Sequence, residues 1–254
     1  MNDFNSQYRT GNTSMDMSRD EGLRAFMLGV YNKLALGIAL AGALAYATGT
    51  FEPLFVLVFT TPLLYVVQFG PIALILASAF IMRRPSPLGT ALLYWTIVSL
   101  LGMGLGVWIA AASGGIELTS RAGSVMAPEF ITIAKAFFVT ASAFGALSLY
   151  GYTTKRDLGK FGTFLIIGLF GLIALSIISL FFPPSGMLET GIMLGILVIS
   201  GGIIAFETQH LKEGYYNFSG DARSLAVMTN WGALNFFIAF YNMFTIILSL
   251  MSRD

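Results

Sequence analysis

The stretch TASAFGALSLYGYTTKRDLGKFGTFLIIGLFGLIALSIISLFF, residues 140–182, consists of two long apolar runs separated by a short charged segment. The charged residues of that segment are Lys155, Arg156, Asp157 and Lys160. A helix needs about 20 mostly apolar residues to cross a bilayer, and the run at residues 161–182 alone reaches that length. The stretch therefore predicts two membrane-spanning helices joined by a short basic loop.

The composition of the whole chain agrees with this local pattern. Of its 254 residues, 56% are hydrophobic and 11% are charged, and the mean hydropathy is +0.77, which is outside the range of ordinary soluble domains. The net charge is only +1 and the charges are scattered, so no basic surface for nucleic acid is predicted. The sequence contains no cysteine, which excludes disulfides and thiolate metal sites. These features indicate an integral membrane protein whose main partner is the lipid bilayer.

Charged and Pro/Gly-rich interruptions divide the chain into seven apolar stretches. These are residues 25–48, 65–82, 88–110, 131–150, 161–182, 190–206 and 231–250. The predicted fold class is an all-α integral membrane protein with seven transmembrane helices in residues 25–254. Residues 1–24 are polar and are predicted to form a flexible cytoplasmic tail. The apolar segment at residues 51–71 is broken by three prolines and is compatible with a membrane-dipping loop.

Lysine and arginine residues are concentrated on one side of this predicted topology. The loops after the second, fourth and sixth spans contain Arg83, Arg84, Lys155, Arg156, Lys160, Lys212 and Arg223, whereas the opposite loops contain Arg121. Short cytoplasmic loops of membrane proteins carry the excess of lysine and arginine. We therefore predict a cytoplasmic amino terminus and, with seven spans, a carboxyl terminus on the outside.

The sixth predicted span ends in ETQHLKEG, residues 207–214, which contains the only histidine of the chain. A carboxylate at this depth is costly unless it is paired, hydrated or protonated. Glu207 lies on the same predicted side as Arg83, so an ion pair between them is geometrically allowed. His210 lies one turn from Glu207 on the same helix face. The alternative interpretation is a helix end that is simply solvated.

The seventh predicted span carries a polar stripe. Asn235, Ala239 and Asn242 follow one another at i, i+4 and i+7 and therefore share one face. Such a stripe is expected on a helix surrounded by other helices, so the seventh helix is predicted to be central to the bundle. The stripe can line a functional pathway or provide hydrogen bonds that only hold the bundle together.

Two further features of the spans have structural interpretations. Gly102, Gly104 and Gly106 in the third span predict close helix packing. Lys33 in the first span and Lys135 in the fourth lie near the membrane interfaces and are expected to extend their ammonium groups toward water.

Residues 140–182 resemble the signature region of the Bax inhibitor-1/YccA family. Other segments occur in the order found in that family: VYNKLALGI at residues 30–38, FIMRRPSPLG at 80–89, ETQHLKEGYY at 207–216 and GALNFFIAFYNMF at 232–244. The resemblance implies a bacterial member in the cytoplasmic (inner) membrane, with six helices wrapped around the seventh. It also implies a pH-sensitive pore that leaks calcium, although some bacterial relatives are associated with restraining a membrane-bound ATP-dependent protease.

The family's pore mechanism implies roles for three positions. A carboxylate in the sixth span shares a proton with an aspartate in the seventh, and an arginine that ends the second span binds the pair. The corresponding residues of this chain are Glu207, Ala239 and Arg83. Because Ala239 has no carboxyl group, the chain departs from the family pattern, and His210 is the local substitute for a second titrating group.

The predicted function is therefore a pH-modulated calcium leak that is gated on the cytoplasmic side. The predicted gate and pathway residues are Glu207, Arg83, His210, Asn242 and Asn235, with Glu207 also a weak calcium ligand. No cofactor is predicted apart from calcium as the transported ion. The alternative function is regulation of an ATP-dependent membrane protease through the tail and the cytoplasmic loops. Enzymatic activity is not predicted, because the sequence has no G-x-S-x-G motif and one histidine cannot form a zinc site.

Overall fold

The computed structural model describes residues 3–81, 84–114, 118–120, 123–125, 128–179 and 186–252. These residues form eight helices: α1 (Asp3–Thr50), α2 (Glu52–Phe59), α3 (Leu63–Ile81), α4 (Pro87–Ala112), α5 (Phe130–Thr153), α6 (Gly159–Ser179), α7 (Gly186–Phe218) and α8 (Ala222–Met251). A short antiparallel hairpin of β1 (Leu118–Ser120) and β2 (Gly123–Val125) lies between α4 and α5. The fold is thus predominantly helical, as the sequence predicts.

Among the described residues, six helices are long and apolar enough to cross a membrane. They are α3, α4, α5, α7, α8 and the part of α1 at residues 21–50. Each coincides with one of the predicted spans. The remaining predicted span, the fifth at residues 161–182, corresponds to α6, whose apolar segment Gly159–Leu172 is shorter than the other six. That α6 crosses the membrane stays a prediction. The division of the chain into a tail and a membrane domain at residue 24 also stays a prediction.

The proline-broken segment at residues 51–71, which the sequence left compatible with a membrane-dipping loop, is helical on both sides of a short turn. Pro53 lies in the first turn of α2, where a helix does not need the backbone N–H that proline lacks. Pro71 lies inside α3. Only Val58, Val67 and Pro71 of this segment are buried, so many of its apolar side chains, such as Tyr65 and Phe69, are exposed on the outside of the bundle.

The core of the bundle surrounds α8. This helix packs against α1, α4, α5 and α7, whereas α3 packs on α4 and α6 packs on α7. Large apolar side chains of α8 are buried, among them Leu234, Phe236 and Phe237. The apolar residues of α8 therefore face neighbouring helices, which leaves its few polar residues inside the protein as well.

Asp221 fixes the start of α8. Its side chain accepts a hydrogen bond from the backbone N–H of Arg223 at 2.9 Å and another from the Ser224 hydroxyl at 2.5 Å. The hydrogen bond from Ser224, and to a smaller extent that from Arg223, holds the pKa of the Asp221 carboxyl below its usual range. The residue is an N-cap, which satisfies backbone donors that the first turn of a helix leaves free.

We expect Asp221→Ala to lower the melting temperature by no more than a few degrees at pH 7, because one helix cap is lost. A carboxyl whose pKa is lower in the folded state stabilises the protein above its unfolded pKa and loses that effect as pH falls through the folded value. The difference between wild type and variant should therefore shrink below about pH 4. Thermal unfolding at pH 7 and pH 3 measures it, with Asp221→Asn as the control that keeps a capping oxygen. An equal difference at both pH values would contradict this role.

Candidate functional site

Glu207 of α7 is joined directly to Asn235 of α8. The Asn235 Nδ2 donates a hydrogen bond to Glu207 Oε1 at 3.0 Å, and Glu207 is only 8% exposed. The extra methylene of glutamate relative to aspartate lets the carboxylate reach across to the neighbouring helix. Helices α7 and α8 are therefore linked by a carboxylate and a neutral amide.

Glu207 and Asn235 line a cavity of about 450 Å³ between α7 and α8. His210 and Glu213 contribute further polar groups to this cavity. The His210 ring is exposed and stacks on the Phe206 ring, with 5.8 Å between centroids. A buried carboxylate thus borders a space that reaches exposed polar residues at the end of α7.

The structure brings together three of the five predicted site residues: Glu207, His210 and Asn235. Asn242 lies two turns further along α8, is partly buried and, among the described residues, is not part of the cavity lining. Arg83 lies outside the described residues, so its predicted ion pair with Glu207 stays a prediction. Ala239 is 3% exposed and packs in the apolar core.

A chain of hydroxyl groups links α1, α5 and α7, and the sequence analysis missed it. Thr208 Oγ1 donates to the carbonyl of Ile204 at 2.7 Å, which uses its only proton. Ser148 Oγ, 3.1 Å from Thr208 Oγ1, must therefore donate to it, and Tyr31, 2.5 Å from Ser148 Oγ, must donate to the serine. The chain runs in one direction from Tyr31 through Ser148 and Thr208 to the Ile204 carbonyl of α7, and Thr208 is the residue next to Glu207.

The remaining polar residues of the ETQHLK segment hold other elements in place. Gln209 accepts a hydrogen bond from the backbone N–H of Leu158 at 2.7 Å and donates one to the carbonyl of Arg156 at 2.8 Å. Lys212 Nζ donates to the Tyr152 carbonyl at 3.1 Å. The end of the apolar part of α7 is therefore a junction between helices, whereas the alternative interpretation expected a solvated helix end.

Lys33 makes a side-chain contact between helices. Its ammonium group donates to Asn230 Oδ1, and Asn230 Nδ2 donates to the Pro87 carbonyl at 2.9 Å and to Thr90 Oγ1 at 2.8 Å. The Tyr94 hydroxyl donates to the Lys33 carbonyl at 2.7 Å. Lys33 therefore joins α1 to the start of α4 and to α8 through Asn230, and its extension to the membrane interface stays a prediction.

Within the described part of the chain, no group of three or more histidine, aspartate or glutamate side chains is arranged to hold a metal ion. Glu207 and Glu213 line one cavity, which provides an electronegative wall without a preformed coordination shell. The geometry fits transient contact with a cation better than tight binding, since tight calcium sites use six to eight oxygen ligands. The role of Glu207 as a weak calcium ligand stays a prediction.

Comparison with known proteins identifies the family. A family model described as "Inhibitor of apoptosis-promoting Bax1" matches residues 23–254. The chain belongs to this family. Similar proteins include a Caulobacter vibrioides protein, 46% identical over 98% of this chain and 97% of the relative. The Rickettsia prowazekii protein RP147 is 34% identical over 91% of each chain. The Escherichia coli inner membrane protein YbhL is 29% identical over 91% of this chain and 93% of YbhL.

Proposed function

We propose that this Bax inhibitor-1 family protein is a calcium leak pathway that is modulated by pH and gated at Glu207. The observation that supports the proposal is a buried carboxylate whose partner on the neighbouring helix is a neutral amide. A hydrogen bond to a charged acceptor is about twice as strong as one between neutral groups. Protonation of Glu207 therefore weakens the link between α7 and α8 without requiring any other bond to break.

The direction of the pH effect follows from this link. Ionised Glu207 holds α7 and α8 together through Asn235 and, in the proposal, also through Arg83. Neutral Glu207 holds them less strongly, so leak increases as pH falls. The acidic wall formed with Glu213 favours the approach of cations over anions.

The proposal places the protein in a bacterial inner membrane with seven spans, including α6, a cytoplasmic amino-terminal tail at residues 1–24 and a carboxyl terminus outside. The concentration of lysine and arginine in alternate loops supports this orientation. The relative YbhL is an inner membrane protein of Escherichia coli, which supports the location. In this orientation the Glu207 cavity opens toward the cytoplasm.

Calcium entry into liposomes that contain the purified protein, measured at pH 6 and pH 8, tests the proposal. We expect a several-fold higher leak at pH 6 for the wild type. Glu207→Gln, which mimics the protonated side chain, should leak at pH 8 as the wild type does at pH 6. Glu213→Gln is the matched control, since Glu213 is exposed in the same cavity, and it should keep the wild-type pH dependence. A wild-type leak that is equal at both pH values, or a pH response that survives Glu207→Gln, would refute the gate.

The second candidate function is regulation of an ATP-dependent membrane protease. The observation that favours it is Ala239, whose buried methyl group replaces the carboxylate that the family's proton-sharing pair requires. A regulator of this kind acts through its tail and loops and needs no titrating pair. Deletion of the residues before Glu21 should then abolish its effect on the protease while leaving calcium leak unchanged. If this deletion removed the calcium leak but not the effect on the protease, the regulator function would be rejected.

A further inference from the structure

A groove runs between α1 and α5, on a different side of α8 from the Glu207 cavity. It consists of two cavities of about 330 Å³ and about 580 Å³. The smaller cavity has an almost entirely apolar lining, and residues of α8 such as Phe237 and Phe244 form its floor. The larger cavity lies at the end of the groove where Arg24 and Tyr152 are found.

The two cavities follow one another along the same faces of α1 and α5. The lining residues of α5 lie between Phe130 and Tyr152 and recur every three, four or about seven positions. The lining residues of α1, between Arg24 and Ala45, have the same spacing. Each helix therefore contributes a single face. Phe144 of the larger cavity contacts Phe240 of the smaller one, with ring centroids 6.1 Å apart. At 1.5 Å per residue, the face of α5 is about 33 Å long, close to the roughly 30 Å hydrocarbon core of a bilayer.

The wide end of the groove carries positive charge. Arg24 lines the larger cavity, and none of the described lining residues is a carboxylate. Lys212 of α7 lies at the same mouth, because its ammonium donates to the Tyr152 carbonyl and lies 5.0 Å from the centroid of the Tyr152 ring. Two cations at the membrane interface beside an apolar channel match a molecule with an anionic head and a hydrocarbon tail.

We propose that this groove binds one anionic glycerophospholipid, with its phosphate at Arg24 and Lys212 and an acyl chain along the channel beside Gly145. A soluble anion would use the cations but not the channel, and a zwitterionic lipid would gain less from the cations. Gly145 borders the channel, and an added Cβ there would meet no atom within 4 Å. The space beside Gly145 is therefore open to a chain. Lipid binding at this groove does not depend on whether the protein conducts ions.

Two variants test the proposal without disturbing helix packing. Gly145→Leu places a side chain in open space inside the channel, and Arg24→Gln removes the exposed charge at its mouth. Gly29→Leu is the matched control, because an added Cβ at this exposed glycine of α1 also meets nothing within 4 Å and the residue does not line the larger cavity. Thermal unfolding of each variant verifies that the bundle is intact.

Native mass spectrometry of the purified chain, titrated with phosphatidylglycerol or phosphatidylcholine of identical acyl chains, measures binding. We expect one phosphatidylglycerol to bind wild type and Gly29→Leu at least about tenfold more tightly than phosphatidylcholine. Arg24→Gln should remove most of that preference, and Gly145→Leu should weaken binding of both lipids. Equal binding of the two lipids by wild type, or wild-type affinity in Gly145→Leu, would overturn the proposal. Displacement of the lipid by millimolar glycerol phosphate would also overturn it, since that result indicates a site for free anions.

Discussion

Gly102→Ala is expected to lower the melting temperature by several degrees, whereas Gly104→Ala, two residues away on α4, leaves it unchanged or raises it. A Cβ at Gly102 would lie 2.6 Å from Ala41 Cα and 2.9 Å from the Ala41 carbonyl oxygen. These are backbone atoms of α1, so they move only if the two helices separate. At Gly104 the nearest atom would be Val67 Cγ1 at 3.6 Å, an ordinary contact.

The pair of variants isolates the packing effect. Alanine is favoured over glycine in a helix by about 0.8–1.0 kcal/mol, and this gain applies to both positions. Overpacking costs about 1–3 kcal/mol and applies only at Gly102. For a chain of this size, 1 kcal/mol corresponds to about 2–4 °C. Thermal unfolding in one detergent, followed by tryptophan fluorescence, gives the comparison, and identical melting temperatures for the two variants would show that α1 and α4 are not in close contact at Gly102.

The transmembrane helices could be predicted from hydropathy because apolar length is a local property. The third span was predicted at residues 88–110 and is observed as α4, Pro87–Ala112. Its start is set by Ser86, whose hydroxyl oxygen accepts a hydrogen bond from the Gly89 N–H at 3.1 Å. The close packing predicted for Gly102 is confirmed by its contact with α1, but Gly104 makes only an ordinary contact. The sequence shows where glycines occur, but the packing of the helices decides at which of them a side chain would prevent close contact.

The contacts made at the end of α7 could not be predicted in this way. The apolar span was predicted to end at Phe206, and the helix continues beyond it to Phe218, as the predicted placement of Glu207 and His210 on one helix face requires. Hydropathy counts polar residues as unfavourable in the bundle, whereas here Thr208 and Gln209 find partners on other elements. Which residue supplies the hydrogen-bond partner depends on which helices are neighbours in the bundle. That arrangement is not a local property of the sequence.

The same reason explains which site residues were found. Glu207 was identified because an acidic residue at the end of an apolar run is rare, and Asn235 was identified as part of the polar stripe of the seventh predicted span. Tyr31 and Ser148 have no comparable signal, since single hydroxyl groups are common in membrane helices. Only the three-dimensional packing of α1, α5 and α7 places them in one hydrogen-bonded chain with Thr208.

Asn235→Asp is expected to move the pH transition of calcium leak upward by at least about one unit, because it places a second carboxylate beside Glu207. The substituted oxygen would take the position of Nδ2, which is 3.0 Å from Glu207 Oε1. Two carboxylates at that distance cannot both be charged, so they share a proton and titrate as a coupled pair. Ala239→Asp also restores a carboxylate to α8, but one turn away from the residue that contacts Glu207.

Asn242→Asp is the matched control for Asn235→Asp, since the chemical change and the helix are the same and the residue lies outside the Glu207 cavity. It should leave the pH transition unchanged. Thermal unfolding provides a readout that is independent of ion conduction: the stability of Asn235→Asp should fall between pH 6 and pH 8, as the shared proton is lost and the two charges repel. If stability shows this fall but leak does not shift, the carboxylate pair has formed without controlling a pathway, and the protease-regulator function is favoured. If neither changes, the contact between Glu207 and Asn235 does not persist in the membrane.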